Sequence, residues 1–81
     1  MKIKVLVFSL LREKIGSSET EIQIEEGISV GQLLDRFIET FPDFAPLRSK
    51  LKVSQNRKHA GEADPVIANA EIAIFPPVSG G

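Results

Sequence analysis

The sequence contains no cysteine, a single histidine and no long apolar run. Without cysteine it forms neither a disulfide nor a thiol nucleophile. The lone His59 cannot gather neighbouring Cys or His ligands into a zinc site, and no Ser/His/Asp or Cys/His catalytic set can be justified around it. No glycine-rich loop opens a helix to cradle phosphate. The apolar run from Val5 to Phe8 sits between Lys4 and Arg12 and falls far short of the ~20 residues a membrane span needs. Nothing marks export, so the cytoplasm is the expected location and no membrane partner is expected. An excess of one charge is missing as well: ten Lys/Arg against eleven Asp/Glu leave a net charge of −1, without the imbalance of a disordered tail or a nucleic-acid binder.

What is present suits one small folded domain. Of the 81 residues, 42% are hydrophobic and 26% charged, and a chain this short buries only about 60% of the surface its unfolded form exposes. A second domain does not fit. Residues 1–47 hold five Lys/Arg against eight Asp/Glu and residues 48–81 five against three, so the halves carry −3 and +2. Arg48, Lys50, Lys52, Arg57 and Lys58 form the densest basic stretch. It reads first as a solvated face, and otherwise as a surface steering encounter with an acidic partner.

Residues 3–8 alternate around Ile3, Val5 and Val7, predicting a strand whose other face carries Lys2, Lys4, Leu6 and Phe8. Phe8 at its end either packs inward with a second small cluster, the first reading, or contacts a partner. Ser9 to Ile15 suits a short helical turn closed by Gly16. Thr20, Ile22 and Ile24 alternate with acidic and polar residues in a second strand, which with the first implies a hairpin. Ser29 and Gln32 then match a capping box, and Val30, Leu33, Leu34, Phe37, Ile38 and Phe41 recur at helical spacing until Pro42. This amphipathic helix is expected to lie on the apolar face of the sheet. Residues 42–50 read as a Pro-containing connection, Leu51 to Ser54 as a short strand, and 55–70 as polar chain with turn signals at Gly61 and Asp64-Pro65. Ile72 and Ile74 alternate with Ala73 and Phe75 in a final strand.

Candidates for chemistry are few. Glu19, Glu21 and Glu25 fall on the solvent side of a strand and read as an exposed face. Arg12 and Glu13 are exposed helix residues or contacts beside the first strand, and His59 reads as a surface residue rather than a catalyst. The ending Pro76-Pro77-Val78-Ser79-Gly80-Gly81 is different. At average composition a chance Pro-Pro-x-x-Gly-Gly ending has a probability on the order of one in a hundred thousand. Two prolines remove amide donors and stop sheet pairing, so a body of residues 1–75 followed by an extended tail of residues 76–81 is expected. At ~3.3–3.6 Å per residue such a tail reaches roughly 20 Å. Gly80 and Gly81, lacking Cβ atoms, would pass a narrow channel and expose the terminal carboxylate, a poor electrophile until an activating enzyme adenylates it.

The chain resembles the molybdopterin synthase small-subunit family, ubiquitin-like sulfur carriers of molybdenum-cofactor synthesis. The resemblance spans essentially the whole chain. It rests on the first strand running into Phe8-Ser9-Leu10-Leu11-Arg12-Glu13 and Gly16, the Ser29 helix, Asn56, and the segment from Glu71 through Phe75-Pro76-Pro77-Val78-Ser79-Gly80-Gly81. It implies an α+β fold of β-grasp type, a mixed sheet packed on one main helix. It also implies a mechanism in which an adenylating, ubiquitin-activating-like enzyme uses ATP to convert the Gly81 carboxylate to an acyl-adenylate. A persulfide sulfur donor then leaves a thiocarboxylate, which the large catalytic subunit of molybdopterin synthase uses to build the molybdopterin dithiolene from cyclic pyranopterin monophosphate. The chain itself would bind no cofactor, have no independent active site, and act within a heterotetramer. By position, Phe8, Arg12, Phe75 and the tail residues Pro76, Pro77, Val78 and Ser79 match partner contacts, and Gly80 and Gly81 match the modified end. Two places depart from the family: Asn69-Ala70 stands where Gly-Asp is usual before Glu71, and His59 where an apolar interface residue is expected. Asparagine tolerates left-handed backbone, which keeps a turn available. The same architecture also serves sulfur delivery for thiamine, tRNA thiolation or cysteine, and protein modification. A plain interaction module with an inert tail is the third reading.

Overall fold

The computed structural model describes residues 1–77. Alternation of β-branched and polar residues produces β1 (Lys2–Val7), which pairs antiparallel with β2 (Glu19–Gln23) so that Ile3 faces Ile22 and Val5 faces Thr20. Between them α1 (Ser9–Ile15) closes at Gly16, whose φ of 85° is the left-handed cap and whose N–H donates to the Arg12 carbonyl at 2.8 Å. The ladder extends past β2. Ile24 N–H donates to the Met1 carbonyl at 2.8 Å, and the Met1 ammonium donates to the Ile24 carbonyl at the same distance.

α2 (Val30–Thr40) starts on the expected capping box: Gln32 N–H donates to Ser29 Oγ at 3.2 Å, and Ser29 N–H donates to Gln32 Oε1 at 2.9 Å. It ends one residue past Thr40, where Phe41 caps it before Pro42. Residues 42–50, expected as plain connection, instead wind into a 3₁₀ segment (Pro42–Lys50) that buries Phe44 against Phe37, ring centroids 5.8 Å apart. β3 (Lys52–Gln55), β4 (Lys58–Ala60) and β5 (Ile72–Phe75) complete a five-stranded mixed sheet in the order β2-β1-β5-β3-β4, with β5 parallel to β1 at its centre. The core lies on one side of this sheet. Val5, Val7, Ile22, Val53, Ile72 and Ile74 meet Val30, Leu33, Leu34 and Phe37 of α2 in one buried cluster.

Gln55 is the one buried polar residue among those described, and both ends of its amide are occupied: Nε2 donates to the Pro65 carbonyl and Oε1 accepts from Ile67 N–H. It thereby holds the polar 61–70 stretch on the sheet without leaving an unsatisfied group. Asn69 lies at φ 65°, and Ala70 N–H donates to the Ile67 carbonyl at 3.2 Å, so asparagine does supply the left-handed turn residue.

The β3–β4 hairpin escaped the sequence reading. Gln55 pairs with Lys58 across a two-residue loop in which Asn56 and Arg57 both have positive φ, 52° and 69°, the signature of a type I′ turn that normally advertises itself as Asn-Gly. Arginine in the left-handed region costs roughly 1–2 kcal/mol, only partly offset by the extra chain entropy glycine must lose. Its contact to Glu71 is 3.5 Å long on a side chain that is 88% exposed, and adds little. Arg57→Gly is therefore expected to raise the melting temperature by about 2–4 °C, measured by thermal circular dichroism; an unchanged or lower value would count against strain at this turn.

A candidate docking surface on the open face of the sheet

The strand registers decide what the other face of the sheet presents. Pairing of Glu19 with Leu6, Leu6 with Ala73, Ala73 with Ser54 and Ser54 with His59 places these five in one row across β2, β1, β5, β3 and β4. Side chains two residues on share the same face, which brings Phe75, paired with Lys52, beside Phe8 at the end of β1. The two rings stack with centroids 4.8 Å apart and an interplanar angle of 8°. Phe8 is 37% exposed and does not join the core, so it is not packed into the interior; it forms a second small cluster with Phe75, on the face opposite α2. The strand itself stops at Val7, and Phe8 occupies the cap position of α1.

Beside the stack runs an open groove of about 560 Å³ lined by Leu6, Phe8, Ser54, His59, Ala73 and Phe75, with Arg57 and Glu71 also on its wall. Its far end is tied by Asn56, whose N–H donates to the Glu71 carbonyl at 2.8 Å and whose Oδ1 accepts from Glu71 N–H at 3.0 Å. Leu6, Ser54 and Ala73 are not site residues in the sequence reading, and Arg57 enters it only as part of the basic stretch. The available signal was the alternation that put Leu6 opposite Val5 and Val7, and Ala73 opposite Ile72 and Ile74.

Arg12 is exposed on α1, four residues beyond Phe8, and its N–H approaches the Phe8 carbonyl at 3.4 Å. Pro76 and Pro77 follow β5 outside any strand and are half-buried. The predicted tail residues Val78, Ser79, Gly80 and Gly81 lie outside the described residues. Among the described residues no group of three or more His, Cys, Asp or Glu side chains is placed to hold a metal ion, and no helix is long and apolar enough to cross a membrane.

The basic stretch divides. Arg48 does not serve a solvated or partner-facing patch but braces the helix side: it donates to Asp35 at 2.9 Å, to Glu62 at 3.0 Å and to the Gly31 carbonyl at 2.9 Å. Glu62 in turn accepts Gly31 N–H through its own carbonyl at 2.9 Å, and a Cβ at Gly31 would meet the Glu62 side chain at 3.0 Å. The Arg48 hydrogen bond holds the Glu62 carboxyl below its ordinary value. A depressed folded value means that this pair stabilises the fold above about pH 4.3 and fades as the pH falls through the folded value. Glu62→Gln should lower the melting temperature at neutral pH by about 2–4 °C, discounted for solvent exposure, and the gap should close as the pH falls below the ordinary carboxylate range. A gap that persists in acid would remove the charge from this account. Glu19, Glu21 and Glu25 are all exposed as expected, Glu25 lying past β2 and pairing with Arg36 of α2 at 3.0 Å.

Residues 5–81 match the ThiS family. The chain belongs to that family. Its members are ubiquitin-like sulfur carriers, and the five-stranded mixed sheet on one main helix is the α+β, β-grasp architecture expected from the sequence. Similar proteins include the molybdopterin synthase sulfur carrier subunit of Arabidopsis thaliana, 31% identical over 81 residues that cover 100% of this chain and 84% of that protein. Small archaeal modifier protein 1 of Haloferax volcanii is 30% identical over 83 residues, covering 93% of this chain and 95% of the relative. The crystal structure of SAMP1 from Haloferax volcanii superposes with a TM-score of 0.80 at 26% identity, both chains covered in full. The fold also recurs in a putative molybdopterin converting factor subunit 1 from Pyrococcus furiosus, TM-score 0.79 at 22% identity, covering 96% of this chain and 99% of that one.

Proposed function

We propose that this chain is the sulfur carrier of a molybdopterin synthase, working in the cytoplasm through the C-terminal carboxylate of Gly81. The observation that carries the reading is a juxtaposition: β5 ends at Phe75, Phe75 forms the exposed stack with Phe8, and Pro76-Pro77 lead from that stack toward the Gly80-Gly81 end. A docking face and a reactive tail thus join at one residue. Among the relatives, the names of the Arabidopsis thaliana and Chlamydomonas reinhardtii proteins support the molybdopterin branch.

In this reading the stack, with Arg12 beside it, docks first on an adenylating enzyme. The Gly81 carboxylate attacks the α-phosphorus of ATP, expelling pyrophosphate and forming an acyl-adenylate. A persulfide then attacks the acyl carbon and expels AMP, and a second thiolate cleaves the resulting S–S bond, leaving the thiocarboxylate and a disulfide on the donor. The charged carrier exchanges partners and inserts its tail into the large catalytic subunit of molybdopterin synthase. There its sulfur passes to cyclic pyranopterin monophosphate, and two such deliveries complete the dithiolene. ATP belongs to the activating partner, and acid–base groups for sulfur insertion come from the large subunit.

The test is intact and C-terminal-peptide mass spectrometry after incubation with the adenylating enzyme, ATP and a persulfide donor. Replacement of oxygen by sulfur adds about 16 Da, nearly what a sulfoxide at Met1 would add, so the gain must map to the peptide ending at Gly81 and depend on ATP. Persistence of the carboxylate with several competent activating enzymes would overturn the reading. The Haloferax volcanii modifier relative favours a second reading, conjugation to lysines of other proteins. It predicts isopeptide-linked Gly81 on target lysines and no sulfur transfer to the pterin.

A further inference from the structure

The end of the sheet farthest from Phe75 carries a surface that the proposed function does not use. β1 and β5 run parallel, Val5 beside Ile72 and Val7 beside Ile74, so the start of β1 lies at the opposite pole from the end of β5. At ~3.3 Å per residue, Met1 stands roughly 23 Å of strand away from Phe8. Among the described residues the large apolar side chains left exposed are Phe8 and Leu10 near the end of β5, and Met1 and Ile67 at this pole, each of the latter two 50% exposed. Met1 and Ile3 form a ridge between two open grooves. One, of about 290 Å³, is lined by Ile24, Glu26, Ile28, Val66 and Ala68, and the other, of about 370 Å³, by Lys2, Lys4, Ile67 and Asn69. The chain at 66–68 therefore crosses the ridge, with Ile67 on the basic flank and its two neighbours on the acidic one. Most charges here are already engaged: Glu25 with Arg36 at 3.0 Å, Lys4 with Glu19 at 3.9 Å, and the Met1 ammonium with the Ile24 carbonyl at 2.8 Å. Lys2 and Glu26 are exposed and enter no ion pair among the described residues. One unpaired cation and one unpaired anion thus stand on opposite flanks of an exposed apolar ridge.

We propose that this pole is the contact between two copies of the chain, related by a two-fold axis through the ridge. An isologous contact needs a self-complementary surface, and the flanking charges make this one self-complementary. Lys2 of each copy meets Glu26 of the other, while Met1 and Ile67 of the two copies pack together at the centre. A partner surface of one charge sign would satisfy one flank and meet like charge at the other. The two grooves are lined by fewer residues than the roughly 20–30 a side of a standard interface, so the dimer is weak, with a Kd on the order of 100 µM. Because the contact lies at the far end of β1, it leaves the Phe8–Phe75 stack of both copies uncovered. It is independent of the chemistry at Gly81, and either idea stands if the other fails.

The test is sedimentation equilibrium of the full chain from about 10 µM to about 1 mM at low ionic strength. Wild type is expected to pass from monomer to dimer over this range, and added salt should weaken the association. Ile67→Asp should remain monomeric throughout. Lys2→Glu and Glu26→Lys each set like charges against one another twice across the two-fold axis, and each should weaken the dimer by about tenfold. The chain carrying both exchanges restores opposite charges and should return to within about threefold of wild type. All three positions are exposed, so folding is not at stake. A wild type that stays monomeric at the highest concentration, a double exchange no tighter than the single ones, or normal dimerisation of Ile67→Asp overturns the proposal. So does a dimer lost in Phe8→Ala but kept in Ile67→Asp, which moves the contact to the open face of the sheet.

Discussion

Phe37→Ala should destabilise the fold by about 3–5 kcal/mol, much of the roughly 4–12 kcal/mol that a domain of this length has available. Phe37 is fully buried in the middle of α2 and is the largest of the side chains with less than 2% exposure. Its ring lies 5.8 Å from Phe44 in a near-parallel stack and 5.4 Å from Phe41 in a tilted one. It therefore joins three things at once: the helix, the 3₁₀ segment after Pro42, and the apolar side of the sheet through the common cluster. The hole left by alanine cannot close cheaply, because α2 is pinned at its start by the capping box and by the Arg48 bonds to Asp35 and the Gly31 carbonyl. Ile38 on the same helix is only partly buried, so Ile38→Ala serves as the graded control with a cost nearer 1 kcal/mol. Urea unfolding followed by circular dichroism measures both. A loss below about 1.5 kcal/mol for Phe37→Ala would mean that the site collapses and that the aromatic cluster is not the centre of the core.

The contrast between what could and could not be read from the sequence follows the range of the interactions. α2 was legible because its apolar period and its capping box are local, and β1 because β-branched residues alternate with charged ones. β4 was not legible: it is three residues long, Lys58 and His59 on it are exposed, and its turn uses Asn56-Arg57 where glycine is the usual signal. The 3₁₀ segment hides its purpose in Phe44, a lone aromatic in a stretch that otherwise looks like linker. The docking face was legible only in part. Phe8 and Phe75 could be named individually, but their stacking depends on β5 entering the middle of the sheet parallel to β1, a pairing across most of the chain. The same registry brings Ala73 to the groove on the open face, whereas Arg48 leaves the basic stretch through its bonds to Asp35, Glu62 and the Gly31 carbonyl.

Deletion of Gly80 and Gly81 should abolish activation by the adenylating enzyme while shifting the melting temperature by less than about 1 °C, small on the scale of a 1 kcal/mol effect for a domain of this size. Among the described residues the sheet pairings, the aromatic contacts and the core cluster all involve residues up to Phe75, and folding free energy and reactivity are expected to be separable. Gly81→Ala is the finer probe. One added methyl group keeps the carboxylate and its charge, yet places a Cβ where a narrow channel must admit the chain end. In steady-state adenylation the alanine variant is expected to lose about a hundredfold in kcat/KM, the effect of displacing a reacting group by about 1 Å. Phe75→Ala supplies the complementary outcome: it removes half of the exposed stack, so affinity for the large subunit should fall by about tenfold or more while the chemistry of an already activated Gly81 is unchanged. A Gly81→Ala chain adenylated at the wild-type rate would dispose of the narrow channel. A Gly80-Gly81 deletion that still supports pterin sulfuration would dispose of the carrier mechanism and leave the open face of the sheet as the working part of the molecule.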